Sequence, residues 1–89
     1  MVSIRLDSML REFAPRLTLA SDAGSVDGVI SDLEARFPRL RLRLRDEAGQ
    51  VRKFVRVYVN GEDITHLKGL DTQVGDADHM DILHSIQGG

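Results

Sequence analysis

Apolar residues recur along this chain with two different periods. In VSIRL (2–6), Val2, Ile4 and Leu6 alternate with Ser3 and Arg5, the period-two pattern of a strand with one face on a core. MLREFAP (9–15) is too short for a full helix before Pro15 and predicts a single helical turn. RLTLA (16–20) alternates again, Leu17 and Leu19 against Thr18 and Ala20. Two strands joined by a short excursion predict an antiparallel pair.

The period then changes. Val26, Val29, Ile30, Leu33 and Phe37 fall on one face of a helix. Ser25 is placed to cap it, Asp27 suits the positive end of its dipole, and Pro38 ends it. RLRLRLR (39–45) fits two readings. Its alternation suits a strand, but it starts one residue after a helix and spaces Leu40 and Leu44 by four. The expectation is a connecting helical turn, with DEAGQ (46–50) turning the chain after it.

VRKFVRVYVNGEDI (51–64) is the strongest strand signal. Val55, Val57 and Val59 point one way, and Phe54, Arg56 and Tyr58 the other. This density of β-branched residues predicts a central position. Asn60-Gly61 is a hairpin turn, DITHLKGL (63–70) a loop or short irregular strand, and Asp76-Ala77-Asp78 a further turn. MDILHSI (80–86) is the last strand, with Met80, Ile82, His84 and Ile86 alternating against Asp81, Leu83 and Ser85. The order is strand, strand, helix, strand, short element, strand. One helix covers one face of such a sheet and leaves the other open. Val55, Val57 and Val59 should face the helix with Ile4, Leu6, Met80 and Ile82. Phe54, Tyr58 and Leu83 then fall on the open face around Arg5 and Arg56. The pattern alone supports an α+β domain with one helix on a mixed sheet.

Composition removes several kinds of chemistry. At 89 residues the chain holds one small domain with a modest core. Without cysteine there is no disulfide framework, thiolate nucleophile or zinc-thiolate site. No apolar run reaches 18 residues, and MVSIRLDSML lacks the features of a signal peptide. The expected location is the cytoplasm. His66, His79 and His84 have no metal-like spacing. Asp76, Asp78 and Asp81 lack the glycine and distal glutamate of a calcium loop. No metal site and no Ser-His-Asp arrangement is expected, and an autonomous enzyme is not indicated.

Charge is segregated beneath a net value of −2. Residues 36–56 carry eight cations against two acids, while 1–35 and 57–89 are net acidic. A nucleic-acid module would use Arg39, Arg41, Arg43, Arg45, Arg52 and Lys53, with Phe54 and Tyr58 stacking on bases. The acidic total and low aromatic content argue against it. A solvated face balanced by acids elsewhere explains the same cluster.

The chain closes on HSIQGG (84–89). Two terminal glycines arise by chance in roughly one chain in two hundred. With FVRVYVNGEDI (54–64), GL (69–70), DAD (76–78) and MDILHSIQGG (80–89), this ending resembles the MoaD/ThiS family of ubiquitin-like sulfur carriers. The resemblance extends through the SDLE-containing helix and is nearest to the longer carriers of the cysteine-biosynthesis type. Many relatives have a proline near position 84 or 85, where this chain has His84 and Ser85.

The resemblance implies a β-grasp (ubiquitin-like) fold, with four to five strands in a mixed sheet and the main helix on one face. It implies a domain over 1–83 and a flexible Gly-Gly tail over 84–89. An E1-like (MoeB/ThiF-type) activating enzyme would use ATP to adenylate Gly89, and a sulfur donor would convert the adenylate to a thiocarboxylate. That sulfur would pass to a biosynthetic enzyme making cysteine, molybdopterin, thiamin or another thio-metabolite. Gly88, Gln87 and Ile86 would be recognised as the tail threads into the partner, because a glycine thread fits a channel that side chains would block. Phe54, Arg56, Tyr58 and Leu83 would form the docking face. The carrier would be monomeric when free and hold no cofactor of its own. The alternative is a ubiquitin-like modifier or adaptor acting by conjugation or protein binding.

Overall fold

A computed structural model describes residues 1–10 and 18–84. Five strands and one α-helix follow the expected order. β1 (Val2–Leu6) and β2 (Thr18–Ser21) precede α1 (Val26–Arg36), and β3 (Val55–Val59), β4 (Glu62–Asp63) and β5 (His79–His84) follow it. The sheet order is β2-β1-β5-β3-β4. β1 and β5 run parallel, and every other neighbouring pair is antiparallel. The first and last strands are therefore neighbours in the middle of the sheet. β5, not β3, is the central strand. β3 has β5 on one side and only the two-residue β4 on the other.

Alternation places the core as expected. Val2, Ile4, Leu6, Leu19, Val55, Val57, Val59, Met80 and Ile82 are buried beneath α1, against Val26, Val29, Ile30 and Leu33. Phe37 packs against this core half-buried, at the carboxy-terminal cap of the helix. The Ser25 hydroxyl accepts the Gly28 N–H at 3.1 Å, satisfying one of the orphan donors of the first turn. A Cβ at Gly28 would lie 3.1 Å from the Ala23 Cβ and 3.3 Å from that hydroxyl. A side chain at 28 would require these neighbours to give by a few tenths of an ångström.

The connecting helical turn expected over 39–45 is present only at its start, and Arg45 instead forms an isolated antiparallel bridge to Val51. Pro38–Leu40 is one turn of 3-10 helix, and turns continue it to Arg43. Leu40 and Leu44 are buried and Leu42 is exposed, with a positive φ of 63°. The 46–50 turn closes through Asp46, whose carboxylate accepts the N–H groups of Ala48 and Gln50. At the β3–β4 hairpin, Asn60 and Gly61 have φ of 52° and 84°. Two consecutive positive values match the twist of the flanking strands. DITHLKGL resolves into two single 3-10 turns, Ile64–His66 and Gly69–Asp71. The helical turn expected over 9–15 falls largely outside the described residues, as does Leu17. Among the described residues, no helix is long and apolar enough to cross a membrane.

Candidate functional site

β5 carries the chain toward its carboxy terminus, so the site is built around the end of that strand. Leu83 lies opposite Arg56 and His84 opposite Val55 on β3. On the other side Leu6 pairs with Ile82. β1 ends there, but Asp7 continues its role. The Asp7 N–H donates to the Ile82 carbonyl at 3.1 Å. Its carboxylate then accepts the His84 N–H on Oδ2 at 2.6 Å and the Leu10 N–H on Oδ1 at 3.1 Å. The His84 ring lies 6.5 Å from that of Phe54, and Lys53 Nζ sits 5.5 Å from the Phe54 centroid, within cation–π range. The His84 Nδ1 atom is buried without a hydrogen-bond partner.

The sheet face away from α1 continues from this point. Arg5, Asp81, Tyr58 and Asp63 lie in register across four strands, and Arg5 Nε meets Asp81 Oδ1 at 3.2 Å. Leu83 and Phe54 remain 39% and 38% exposed. Arg56 and Tyr58 are half-buried. The face is thus a mixed patch, apolar at Tyr58 and Leu83 and charged at Arg5, Arg56 and Asp81, with the exposed Phe54 at its margin beside His84. Its far edge holds the Asp63 carboxylate, which accepts the backbone N–H and hydroxyl of Thr65, each at 2.9 Å. The backbone bond, aided by the hydroxyl and the charges of His66 and Arg56, holds this carboxyl below its ordinary pKa.

The structure therefore brings Arg56, Tyr58 and Leu83 onto one face. Phe54 precedes β3 rather than belonging to it, and leans toward His84. Ile86, Gln87, Gly88 and Gly89 lie outside the described residues. Asp7 was not singled out from sequence. Its role depends on a contact spanning 77 positions, and nothing local marks it. Arg5 was placed on this face by alternation, but its pairing with Asp81 was not read from the sequence.

The basic segment has internal uses. Arg45, with a side chain 15% exposed, donates to Glu34 at 2.6 Å and Ser31 at 3.1 Å, and also to Asp27. Burial works against its charge, but the Glu34 and Asp27 carboxylates more than offset this and raise its pKa. Arg52 Nε donates to the Leu42 carbonyl at 2.6 Å, and Arg36 to that of Ala20 at 2.7 Å. Asp76-Ala77-Asp78 is a turn tied to the β3–β4 hairpin. The Asp78 carboxylate accepts from Asn60 Nδ2 and the Gly75 N–H, both at 2.8 Å. These two bonds lower its pKa, the Asn60 bond contributing more.

Comparison with known proteins gives this geometry a setting. The model of the ThiS family matches residues 4–89. The sulfur carrier protein CysO of Mycobacterium tuberculosis is 36% identical over 91 residues, covering 99% of this chain and 98% of the relative. The small archaeal modifier protein 3 of Haloferax volcanii is 34% identical over 68 residues, covering 76% of this chain and 73% of the relative. The crystal structure of the Amycolatopsis orientalis BexX/CysO complex contains a chain that superposes with a TM-score of 0.89. That chain is 30% identical, and the match covers 100% of both. The one-helix, five-strand architecture is the β-grasp. From sequence match and fold together, this chain belongs to the ThiS family.

Proposed function

We propose that this sulfur carrier works through the carboxylate of Gly89. The observation that carries the reading is that the family match extends through Gly88 and Gly89, while the central strand of the sheet, described as far as His84, runs toward the carboxy terminus. Gly89 follows His84, the last described residue of that strand, by five positions, which supports the reading.

A carboxylate resists nucleophiles because it is already anionic and its oxygens leave poorly. In the activating enzyme, a Gly89 carboxylate oxygen attacks the α-phosphorus of ATP and pyrophosphate leaves. Hydrosulfide then attacks the acyl carbon of the adenylate. AMP departs with the bridging oxygen, a proton is lost, and a thiocarboxylate remains on Gly89. No electron changes hands. The carrier supplies the acyl group and a handle, while an E1-like enzyme of the MoeB/ThiF type and a sulfur-accepting biosynthetic enzyme supply the catalysis. ATP belongs to the activating enzyme, and the carrier holds no cofactor. Phe54, Arg56, Tyr58 and Leu83 dock the activating enzyme while Ile86, Gln87 and Gly88 thread into its active site. The free carrier is a cytoplasmic monomer with a folded part that includes His84 at the end of β5 and a tail after it.

The experiment is direct. Incubation with a matching activating enzyme, ATP and sulfide should add the mass of one oxygen-to-sulfur exchange. Tandem mass spectrometry should place it on Gly89. No adduct with any cognate activating enzyme would sink the reading. The likeness to an archaeal modifier protein favours a second outcome, in which the same adenylate is captured by a lysine amine. The product would then be an isopeptide branch rather than a thiocarboxylate.

A further inference from the structure

Asp7 occupies an unusual position in the β1–β5 ladder. In a parallel pair the rungs are evenly spaced, and each donor strand alternates with its neighbour. The Asp7 N–H makes such a rung to the Ile82 carbonyl at 3.1 Å. The next would run from the His84 N–H to the Asp7 carbonyl. The chain turns away at that residue, and the Asp7 carboxylate takes the place of the carbonyl at 2.6 Å. The other carboxylate oxygen holds the Leu10 N–H, so the turn after β1 fixes the acceptor. The His84 N–H points to the β1 side, so β3 offers it no acceptor. On the β3 side the Phe54 ring packs near the His84 ring.

We infer that Asp7 is a positioning residue for activation of Gly89: its carboxylate pins the root of the reactive tail at His84 and so fixes the tail's reach. The inference rests on Gly89 being the activated group. From His84 to Gly89 there are five residues, which span at most about 18 Å. Without Asp7 the nearest residue still held by the ladder is Leu83, opposite Arg56 on β3, and the span to Gly89 grows to six residues and about 22 Å. A longer tether must order one more residue each time it enters a channel, which weakens productive binding by about tenfold.

The test compares intact protein, Asp7→Ala and Asp7→Asn in activation by a purified ThiF-type enzyme with ATP and sulfide. Asp7→Ala should raise KM for the carrier about tenfold while changing kcat by less than about twofold. Asn offers one acceptor for two N–H groups, so Asp7→Asn should lie between. Backbone amide exchange in the intact protein should show His84 protected by about a hundredfold or more over free chain. That protection should fall in Asp7→Ala while Ile4 and Met80 stay protected. An unchanged KM, a loss confined to kcat, or a freely exchanging His84 amide in the intact protein would overturn the inference. If Asp7→Ala fails to fold, Asp7→Asn and the exchange in intact protein decide. If intact protein gains no sulfur at all, the reading of Gly89 fails, while amide exchange still reports on the pin.

Discussion

Leu83 shows how much one side chain decides. It sits on the central strand, one residue before the pinned His84, and keeps 39% of its surface in water. Opposite it lies Arg56, and Tyr58 and Phe54 are on the same strand and the turn before it. Aromatic, arginine and apolar groups gathered on an open sheet face are suited to carrying interface energy. We expect Leu83→Asp to weaken binding to the activating enzyme by about tenfold while leaving the far-ultraviolet spectrum and thermal midpoint intact. Titration calorimetry would measure the first. Unchanged affinity, or an unfolded variant, would show that this face does not dock the enzyme or that the side chain is structural. Leu83 was legible in sequence because period-two alternation fixes its face once Met80 and Ile82 are assigned inward. Asp7 was not legible. A carboxylate after a strand looks like any turn residue until the parallel pairing brings His84 beside it.

At the scale of elements, local signals were reliable where they agreed and failed where they competed. The helix carried its cap, its apolar stripe and its stop in one stretch, and all three are seen. In 39–45 the alternation of leucine and arginine imitates a strand. Two facts favour a turn: Pro38 is suited to the first turn of a short helix, and Leu40 and Leu44 both reach the core. Leu42 is then left outside, in a left-handed conformation. β3 is an interior strand, paired on both sides, but it is not the middle one. Its valines report burial of one face, not its place in the sheet order. β5 is the centre yet carries His79, Asp81 and Leu83 outward, since a sheet with an open face exposes polar residues even on its middle strand. The basic segment likewise belongs to packing as well as to the surface, because Arg45 joins the connecting loop to α1. Arg45→Ala should lower the free energy of unfolding in urea by about 2 kcal/mol, because Glu34 would lose its charged partner in a mostly buried place. A change under about 0.5 kcal/mol would mark it as an ordinary surface pair.

At the scale of the whole molecule, the proposed role of Gly89 makes the folded part and the last two residues separable by experiment. Deleting Gly88 and Gly89 removes none of the buried apolar residues. The thermal midpoint should therefore move by about 2 °C or less, while adenylation, followed by pyrophosphate release, should disappear. A large fall in the midpoint would assign the glycines a structural role. Charge is arranged at the same scale. The segregated blocks of the sequence meet in space, as α1 acids reach Arg45 and Asp81 reaches Arg5. This part of the organisation was only half visible, since composition shows the blocks but not which faces they share.

The adjacency of β1 and β5 has a mechanical consequence. The two strands are parallel, so a pull on the carboxy-terminal end of β5 against the amino-terminal end of β1 loads them in shear. All rungs between them must slip together, whereas an antiparallel hairpin pulled from its open ends would unzip one rung at a time. A pull applied between those two ends therefore meets the whole ladder at once rather than peeling the last strand away.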